Sequence, residues 1–325
     1  MPIIRHVAVV FRVAAGPRLG FGHLVRCRAI ARALGVEPCV SIRGTAATRR
    51  AGERLGLRVL ASGVRLLDLE QPQVLVVDDP SAAAARPWVA AARRRGVPVV
   101  AIHDGRLAGF DADLVIDGSV RAPRTGSPAR LVGPRYAVLD PQLTALARRR
   151  RPTAGRILVA VGGGAHVFAR VPAVVAELAR LAPGAEIHVA PGFTTRRRPA
   201  LSSARWLAPG QLAAALADSQ LALVAGGITA YEACALGVPI VAVSVVPAQQ
   251  PTVRALGRRG AAIDGGPLGA AGAERRVAGQ MAQLLAAPAA RRRLAAAGRR
   301  LVDGRGAARA ATAIRALAHQ GGPRG

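Results

Sequence analysis

Residues 221–232 read Leu-Ala-Leu-Val-Ala-Gly-Gly-Ile-Thr-Ala-Tyr-Glu, an apolar run followed by a glycine pair and the start of a helical pattern. This order is typical of a buried strand that passes through a tight turn into a helix. The free N–H groups and the partial positive charge at a helix start attract phosphate. The stretch therefore predicts a phosphate-binding turn that includes Gly227.

A second turn of the same kind lies near the start of the chain, where Gly20-Phe-Gly22-His23 follows the apolar run Val7–Val13. The glycines allow close approach of a ligand to the backbone. One such turn in each half predicts a nucleotide diphosphate held between two domains. A helix start disfavours the charged imidazolium, so a neutral His23 could accept a proton from water. A structural histidine that caps the turn is the alternative.

Short runs rich in Val and Ile alternate along the chain with Ala/Leu/Arg segments of helical length, and this alternation indicates parallel sheets covered on both faces. The expected strands are Val7–Val13, Pro38–Ile42, Val74–Val77, Val97–Ile102, Leu114–Ile116, Ile157–Val161, Glu186–Val189, Leu221–Ala225 and Ile240–Val245. The expected helices are Leu24–Leu34, Ala46–Leu55, Ala82–Arg95, Val167–Leu181, Gln211–Ala217, Thr229–Ala235 and Thr252–Arg259.

The alternation pauses in residues 121–155, which are rich in Pro, Gly and Arg and are interpreted as the interdomain connection. We therefore expect an α/β protein with two Rossmann-like domains, residues 1–150 and residues 151–325. Residues 269–319 have a helical pattern broken near Pro288 and Gly304, which predicts a helical tail on the second domain. In proteins of this class the ligand lies beyond the carboxyl ends of the strands.

Several other residues fall at expected strand ends. Asp78 and Asp104 each end an apolar run, where they could bind Mg²⁺ or orient sugar hydroxyls, although Asp is also an ordinary strand-end residue. We expect no metal site and no cofactor. Gly162 and Gly163 follow the first strand of the second half, as a further phosphate turn or a plain connection.

Glu232 is the single charged residue in an otherwise uncharged strand–helix–strand segment, so its burial requires a partner. Two interpretations stay open. In a capping box, Thr229 and Glu232 would satisfy each other's backbone donors. Alternatively, Glu232 would bind the ribose hydroxyls of a nucleotide. Gln249 and Gln250 end the next strand segment and could bind a sugar or phosphate.

The net charge of +28 raises the question of nucleic-acid binding, since a basic surface releases counterions from a phosphate backbone. All 46 basic residues are Arg, they are spread along the whole chain, and aromatic residues make up only 3%. This distribution resembles a codon bias, and the chain has few rings for base stacking. We therefore expect an anionic small molecule as partner, with peripheral contact to an anionic membrane also open.

Three further expectations concern location and assembly. The cysteines Cys27, Cys39 and Cys234 form no Cys-x-x-Cys pair and lie in apolar segments, as buried free thiols of a reducing cytosol do. No uninterrupted apolar stretch has the length of a membrane span. A cytoplasmic protein is therefore expected, and the sequence does not indicate an oligomeric state.

Three stretches resemble one known family. Residues 12–27 contain Arg12 and the Gly-x-Gly-His turn, residues 158–163 end in a glycine turn, and residues 225–239 are followed by Gln250. Together they are similar to the UDP-sugar hydrolases of pseudaminic-acid synthesis, which share the GT-B superfamily with MurG-type glycosyltransferases. The order and spacing of the matching residues agree from about residue 5 to 265.

The resemblance implies two Rossmann-like domains that face each other across a cleft, with the uracil nucleotide on the second domain and Glu232 on its ribose. It also implies that His23 activates water for attack at the anomeric carbon and expels UDP without a metal. The chain departs from the family pattern at Ala14, Pro80, Ala165 and Gln249. Nucleotide-sugar binding is therefore expected to persist, while the diacetamido sugar of the family is not fixed.

Three functions follow from these patterns. The first is a metal-independent UDP-sugar hydrolase in nonulosonic-acid or surface-glycan synthesis. The second is an inverting GT-B glycosyltransferase, in which an acceptor hydroxyl replaces the water. The third is a catalytically degenerate protein that binds nucleotide sugars without turnover.

Overall fold

A computed structural model describes residues 7–16, 19–103, 110–121, 130–162, 169–192 and 198–320. The chain divides into two compact units. Unit 1 comprises Met1–Pro141 and Arg305–Gly325, and unit 2 comprises Gln142–Gly304. Each unit is built on a parallel β-sheet flanked by helices.

The sheet of unit 1 has seven strands in the order β3-β2-β1-β4-β5-β6-β7, all of them parallel. The strands are β1 (Val9–Ala14), β2 (Cys39–Arg43), β3 (Arg58–Leu60), β4 (Val74–Asp78), β5 (Val99–His103), β6 (Leu114–Asp117) and β7 (Arg130–Val132). The central strands β1 and β4 are buried along their whole length, as expected of a sheet covered on both faces.

The helices of unit 1 pack on both faces of this sheet. They are α1 (Gly22–Leu34), α2 (Ala46–Arg54), α3 (Leu66–Glu70), α4 (Ala82–Arg94) and the last helix of the chain, α12 (Gly306–Gln320). Local chemistry sets their ends. Thr45 and Ser81 cap α2 and α4 by accepting backbone N–H bonds, and Gly35 ends α1 in the left-handed conformation.

The sheet of unit 2 has six parallel strands in the order β10-β9-β8-β11-β12-β13. The strands are β8 (Arg156–Ala160), β9 (Glu186–Val189), β10 (Ala204–Trp206), β11 (Leu221–Ala225), β12 (Ile240–Ser244) and β13 (Ile263–Pro267). The helices are α5 (Gln142–Arg149), α6 (Val171–Leu181), α7 (Leu212–Asp218), α8 (Ile228–Leu236), α9 (Gln250–Arg258), α10 (Ala273–Ala286) and α11 (Pro288–Leu301).

Both sheets reverse their strand order at one point. In unit 1 the chain leaves β1 towards β2 and β3 on one side and continues from β4 to β7 on the other. In unit 2 the same reversal falls between β8 and β11. Such a switch point opens a crevice beyond the carboxyl ends of the two central strands, where ligands of open α/β sheets bind.

The structure corrects the predicted domain organisation in two respects. The unit boundary falls after Pro141, and the proposed connection contains structured elements, because β7 and α5 lie within residues 121–155. Moreover, α12 belongs to unit 1 rather than to the second half, since its apolar face packs against α1.

Cys27 and Cys234 are buried free thiols, as predicted, whereas Cys39 is half-buried. Within the described ranges, no helix combines the length and the apolar character needed to cross a membrane.

Candidate functional site

The loop between β1 and α1 lies at the switch point of unit 1. Gly16 and Gly20 form a short antiparallel bridge with N–H···O distances of 3.1 and 2.7 Å, which closes the loop at its base. Gly20 has a φ of +83°, a conformation that favours glycine. The chain then enters α1 at Gly22, and this fixes His23 in the first turn of the helix.

His23, Arg26 and Asp78 form a compact cluster. Nδ1 of His23 lies 2.7 Å from Oδ1 of Asp78, whose side chain is only 3% exposed at the end of β4. Arg26, one turn after His23 on α1, donates from Nη2 to Oδ1 at 2.8 Å and from Nε to Oδ2 at 2.9 Å. The carboxylate of Asp78 therefore holds the histidine ring and the guanidinium at once.

Two groups contact Nδ1 of His23. Asp78 Oδ1, at 2.7 Å, can only accept a hydrogen bond, and Arg26 Nη2, at 2.9 Å, can only donate one, so the two contacts favour opposite states of Nδ1. The shorter contact is with the carboxylate. With the proton on Nδ1, the lone pair of the neutral ring lies on Nε2, which has no hydrogen bond to any described residue.

The charge of Asp78 is maintained despite burial. Burial alone would raise the pKa of Asp78, but the charge of Arg26 and the contacts with His23 outweigh it and lower the pKa to about 2. Asp78 is thus a permanent acceptor for the Nδ1 proton at neutral pH.

Arg12 does not join this cluster. Its guanidinium lies on the sheet face covered by α4, 5.0 Å from the ring centroid of Trp88, and Nη1 donates to Ser41 Oγ at 3.2 Å. The reason is the alternation of side chains along a strand, which places the side chain of Arg12 in β1 against the sheet face rather than at the strand end.

In unit 2, the predicted glycine turn lies at the other switch point. Gly226 and Gly227 directly follow β11, and α8 begins at Ile228 with Gly227 as its N-cap. The first turn of α8 contains no acidic residue, so its free N–H groups are not neutralised by a local carboxylate. A Cβ on Gly226 would lie 2.6 Å from Cγ2 of Val253 in α9, so only glycine fits.

Gln249 and Gln250 lie where α9 begins, after β12. The Oε1 atom of Gln249 accepts the N–H of Val245 at 3.0 Å, which leaves its amide nitrogen on the side of Gly227. Gly162 follows β8, the strand paired with β11, and has a φ of +89°; no described residue lies within 4 Å of the position of its Cβ. Gly162, the glycine turn and Gln249 thus follow parallel strands that end at the same edge of the sheet of unit 2.

The structure excludes the capping-box interpretation of Thr229 and Glu232. A capping box needs its Thr at the N-cap of the helix. The N-cap of α8 is Gly227, which has no side chain to form a cap, and Thr229 is the second residue of the helix. Glu232 lies in the second turn of α8, where it is 9% exposed.

The predicted residues thus separate into two groups. Unit 1 brings together Gly20, Gly22, His23 and Asp78, and unit 2 brings together Gly162, Gly227, Thr229, Glu232, Gln249 and Gln250. Asp104 and Gly163 lie outside the described residues. In the described part of the chain, no three His, Cys, Asp or Glu side chains are grouped as metal ligands.

Two arginines of unit 1 that lie near His23, Arg26 and Arg43, were not predicted from the sequence. Arg26 could have been found, because residues three apart share a helix face and His23 precedes it by three. Arg43 could not, because its partner Asp79 is 36 positions away and only the sheet brings them together.

No protein-family model matches the chain. It is 35% identical over 109 residues to the spore coat polysaccharide biosynthesis protein SpsG of Bacillus subtilis (strain 168). That match spans 34% of this chain and about a third, 32%, of the relative.

Solved structures are similar over almost the whole chain. The MurG of Acinetobacter baumannii is 17% identical with a TM-score of 0.64, covering 95% of this chain and 99% of that one. A UDP-GlcNAc 2-epimerase from Neisseria meningitidis bound to UDP-GlcNAc is 11% identical, with a TM-score of 0.63 and the same coverages. The fold is therefore α/β of the GT-B type, with two Rossmann-like units.

Proposed function

We propose that the chain is an enzyme that hydrolyses a UDP-sugar, with His23 as general base. The observation that carries the proposal is the 2.7 Å contact between Nδ1 of His23 and the buried carboxylate of Asp78, which orients the ring and leaves Nε2 without a hydrogen bond to any described residue. A neutral imidazole oriented in this way can accept a proton from water.

The proposed reaction is a single displacement. Nε2 of His23 takes a proton from water while the water oxygen forms a bond to the anomeric carbon. The bond from that carbon to the diphosphate breaks, and its electron pair leaves with UDP. General-base help of this kind typically contributes about 10²–10⁴-fold in rate.

We propose that the nucleotide binds at the glycine turn of unit 2. The N-terminal amides of α8 would stabilise the charge of the leaving diphosphate, as backbone donors do in other group transfers. Glu232, the fifth residue of that helix, would accept hydrogen bonds from the ribose, and Gln249 would donate from its amide nitrogen. The uracil base itself is inferred from the sequence resemblance.

We place the reaction in surface-glycan or nonulosonic-acid synthesis. The similarity to a spore coat polysaccharide biosynthesis protein over 109 residues supports this setting. The departures at Ala14 and Pro80 lie close to His23 and Asp78 in the sequence, and they favour a sugar different from that of the pseudaminic-acid enzymes.

A glycosyltransferase is the second candidate, and the likeness to MurG over 95% of the chain favours it. The same base would then deprotonate an acceptor hydroxyl instead of water. In that case the basic surface would suit contact with an anionic membrane that carries the acceptor.

The test is incubation of the full chain with UDP-sugars and no acceptor, with UDP and free sugar followed by NMR. We expect equal amounts of UDP and free sugar from the native chain. His23→Asn should reduce the rate about 10²–10⁴-fold and leave UDP affinity unchanged, because the nucleotide binds to unit 2. His319→Asn, in the exposed part of α12, is the matched control and should keep full activity.

Each other outcome has a defined meaning. Unimpaired UDP release by His23→Asn would reject His23 as the base. Turnover only after an acceptor is added would identify a transferase. UDP binding without turnover of any sugar would identify a protein that only binds.

A further inference from the structure

Arg43 lies beside the loop of His23. It ends β2, opposite Ala14 of β1 in the parallel register, and its backbone oxygen accepts the N–H of Ala15 at 3.2 Å. Asp79, the residue after Asp78, holds its guanidinium. Two consecutive residues at the end of β4 therefore hold His23 and Arg43, respectively.

Only one edge of the Arg43 guanidinium is hydrogen-bonded to a described residue. Nε donates to Oδ2 of Asp79 at 2.7 Å and Nη2 donates to Oδ1 at 2.6 Å, so one edge of the fork is occupied. Asp79 is completely buried and also accepts the N–H of Ser81, so this arrangement is rigid. Nη1 has no hydrogen bond to any described residue, and the side chain is 38% exposed.

Among the described residues around Asp78 and Asp79, the cations outnumber the anions. Arg12, Arg26 and Arg43 carry three positive charges, whereas Asp78 and Asp79 carry two negative ones. The excess charge is costly for Arg12, which is 8% exposed and whose Nε has no partner among the described residues. Burial lowers the pKa of Arg12, Asp79 opposes this effect, and the charge of Arg43 adds to it.

The amino end of α2 adds further donors next to Arg43. α2 begins at Ala46, its first turn contains no acidic residue, and residues 44–47 are exposed. The amides of Ala46 and Ala47 have no intrahelical partner, as in the first turn of any helix. A Cβ on Gly44 would lie 2.7 Å from the oxygen of Ala15, so this turn is packed directly against the loop of His23.

We propose that Arg43 and the amino end of α2 form an oxyanion subsite of unit 1 that binds a carboxylate or phosphate group of a reactant. The free edge of the Arg43 fork matches the two oxygens of such a group, and the bound charge offsets the excess cation. The inference rests on the proposed function only in assigning the anion to a reactant. The anion is either the diphosphate of the nucleotide sugar or an acidic group elsewhere on the sugar or acceptor.

The experiment uses the ¹⁵N-labelled full chain and inorganic phosphate at constant ionic strength. We expect saturable shifts of the Arg43 Nε–H and of the Ala46 and Ala47 amides, with a dissociation constant on the order of 1 mM. The double variant Arg43→Gln/Asp79→Asn removes both charges and leaves no unpaired carboxylate. It should weaken phosphate binding at least about tenfold, which equals about 1.4 kcal/mol.

The matched control is Arg93→Gln/Asp113→Asn. In that pair Nη1 of Arg93 donates to both carboxylate oxygens of Asp113, and Asp113 likewise accepts a backbone N–H, from Val99. Phosphate binding should be unchanged in this control. Absence of saturable shifts at Arg43 and α2, or equal loss in both double variants, would overturn the proposal.

A UDP titration of the Arg43/Asp79 double variant separates the two sources of the anion. A parallel loss of UDP affinity assigns the subsite to the diphosphate, and unchanged UDP affinity assigns it to another acidic group. Because the phosphate shifts need no turnover, the subsite and the proposed hydrolysis can fail independently.

Discussion

At the scale of single residues, Asp78 contacts two functional groups at once. Its carboxylate orients His23 through Nδ1 and neutralises Arg26, and both contacts are made by a side chain that water hardly reaches. A buried carboxylate without such partners would take up a proton, and a neutral Asp78 would attract a proton on Nδ1 of His23 less strongly. Arg26 therefore contributes to the proposed base indirectly, by keeping Asp78 ionised.

The low pKa of Asp78 predicts a specific acid sensitivity. The unfolded chain releases the Asp proton at a pKa near 3.8, and the folded chain near 2. Between about pH 4 and pH 2 the unfolded state binds the extra proton, so stability falls as the pH falls. The contribution is fully present above that window and amounts to about 2 kcal/mol.

Urea unfolding of the native chain and of Asp78→Asn at several pH values measures this contribution. We expect the difference in unfolding free energy between the two proteins to shrink as the pH falls through the window. Asp68→Asn is the control, because the pair of Asp68 with Arg95 is exposed and such pairs contribute little. A difference that stays constant with pH would show that Asp78 has the same pKa in the folded and the unfolded chain, and would contradict the prediction.

At the scale of secondary-structure elements, the turn between β11 and α8 determines the local packing of unit 2. Its two glycines have different roles: Gly226 permits close contact with α9, and Gly227 is the N-cap of α8. The first-turn amides of α8 and the side chain of Gln249 are therefore held in place by the same close packing.

Gly226→Ala should disturb this packing. The new methyl group would meet Val253 at 2.6 Å and the backbone oxygen of Gln249 at 3.1 Å. Overpacking of this kind typically costs about 1–3 kcal/mol, and displacement of α9 should also weaken UDP binding. Calorimetry of UDP binding and thermal unfolding measure both effects.

Gly184→Ala in the same unit is the matched control for this substitution, because its Cβ would meet nothing within 4 Å. It should leave UDP affinity unchanged. Unchanged UDP affinity of Gly226→Ala would separate the turn from the nucleotide site.

The elements themselves were predictable to different degrees. The sequence predicts the apolar strands β1, β4, β8 and β11 and the helices that follow them. Runs rich in Val and Leu are stable only when they are buried, so their position in the sheet is easy to predict. Strands β3, β7, β10 and β13 were missed. For example, β13 reads Ile-Asp-Gly-Gly-Pro, in which four of five residues are depleted in strands, and its pairing with β12 makes it extended.

At the scale of the whole molecule, the sequence predicts two α/β units but not which unit the last helix belongs to. The strand–helix rhythm restarts after the middle of the chain, and this predicts two α/β units. The position of α12 could not be read from it, because an amphipathic helix shows which face is buried but not against which partner. The contact between α12 and α1, which are far apart in the sequence, shows that α12 belongs to unit 1.

The assignment of α12 to unit 1 predicts which unit suffers when its packing is damaged. Ile314 is fully buried in the core of unit 1, so Ile314→Ala should cost about 2–5 kcal/mol there. We expect faster amide hydrogen exchange in α1 and β1 and unchanged exchange in β11 and α8. Met281→Ala, fully buried in the core of unit 2, should give the reverse pattern. Faster exchange in unit 2 after Ile314→Ala would return α12 to the second half, because local opening follows the unit in which a contact is lost.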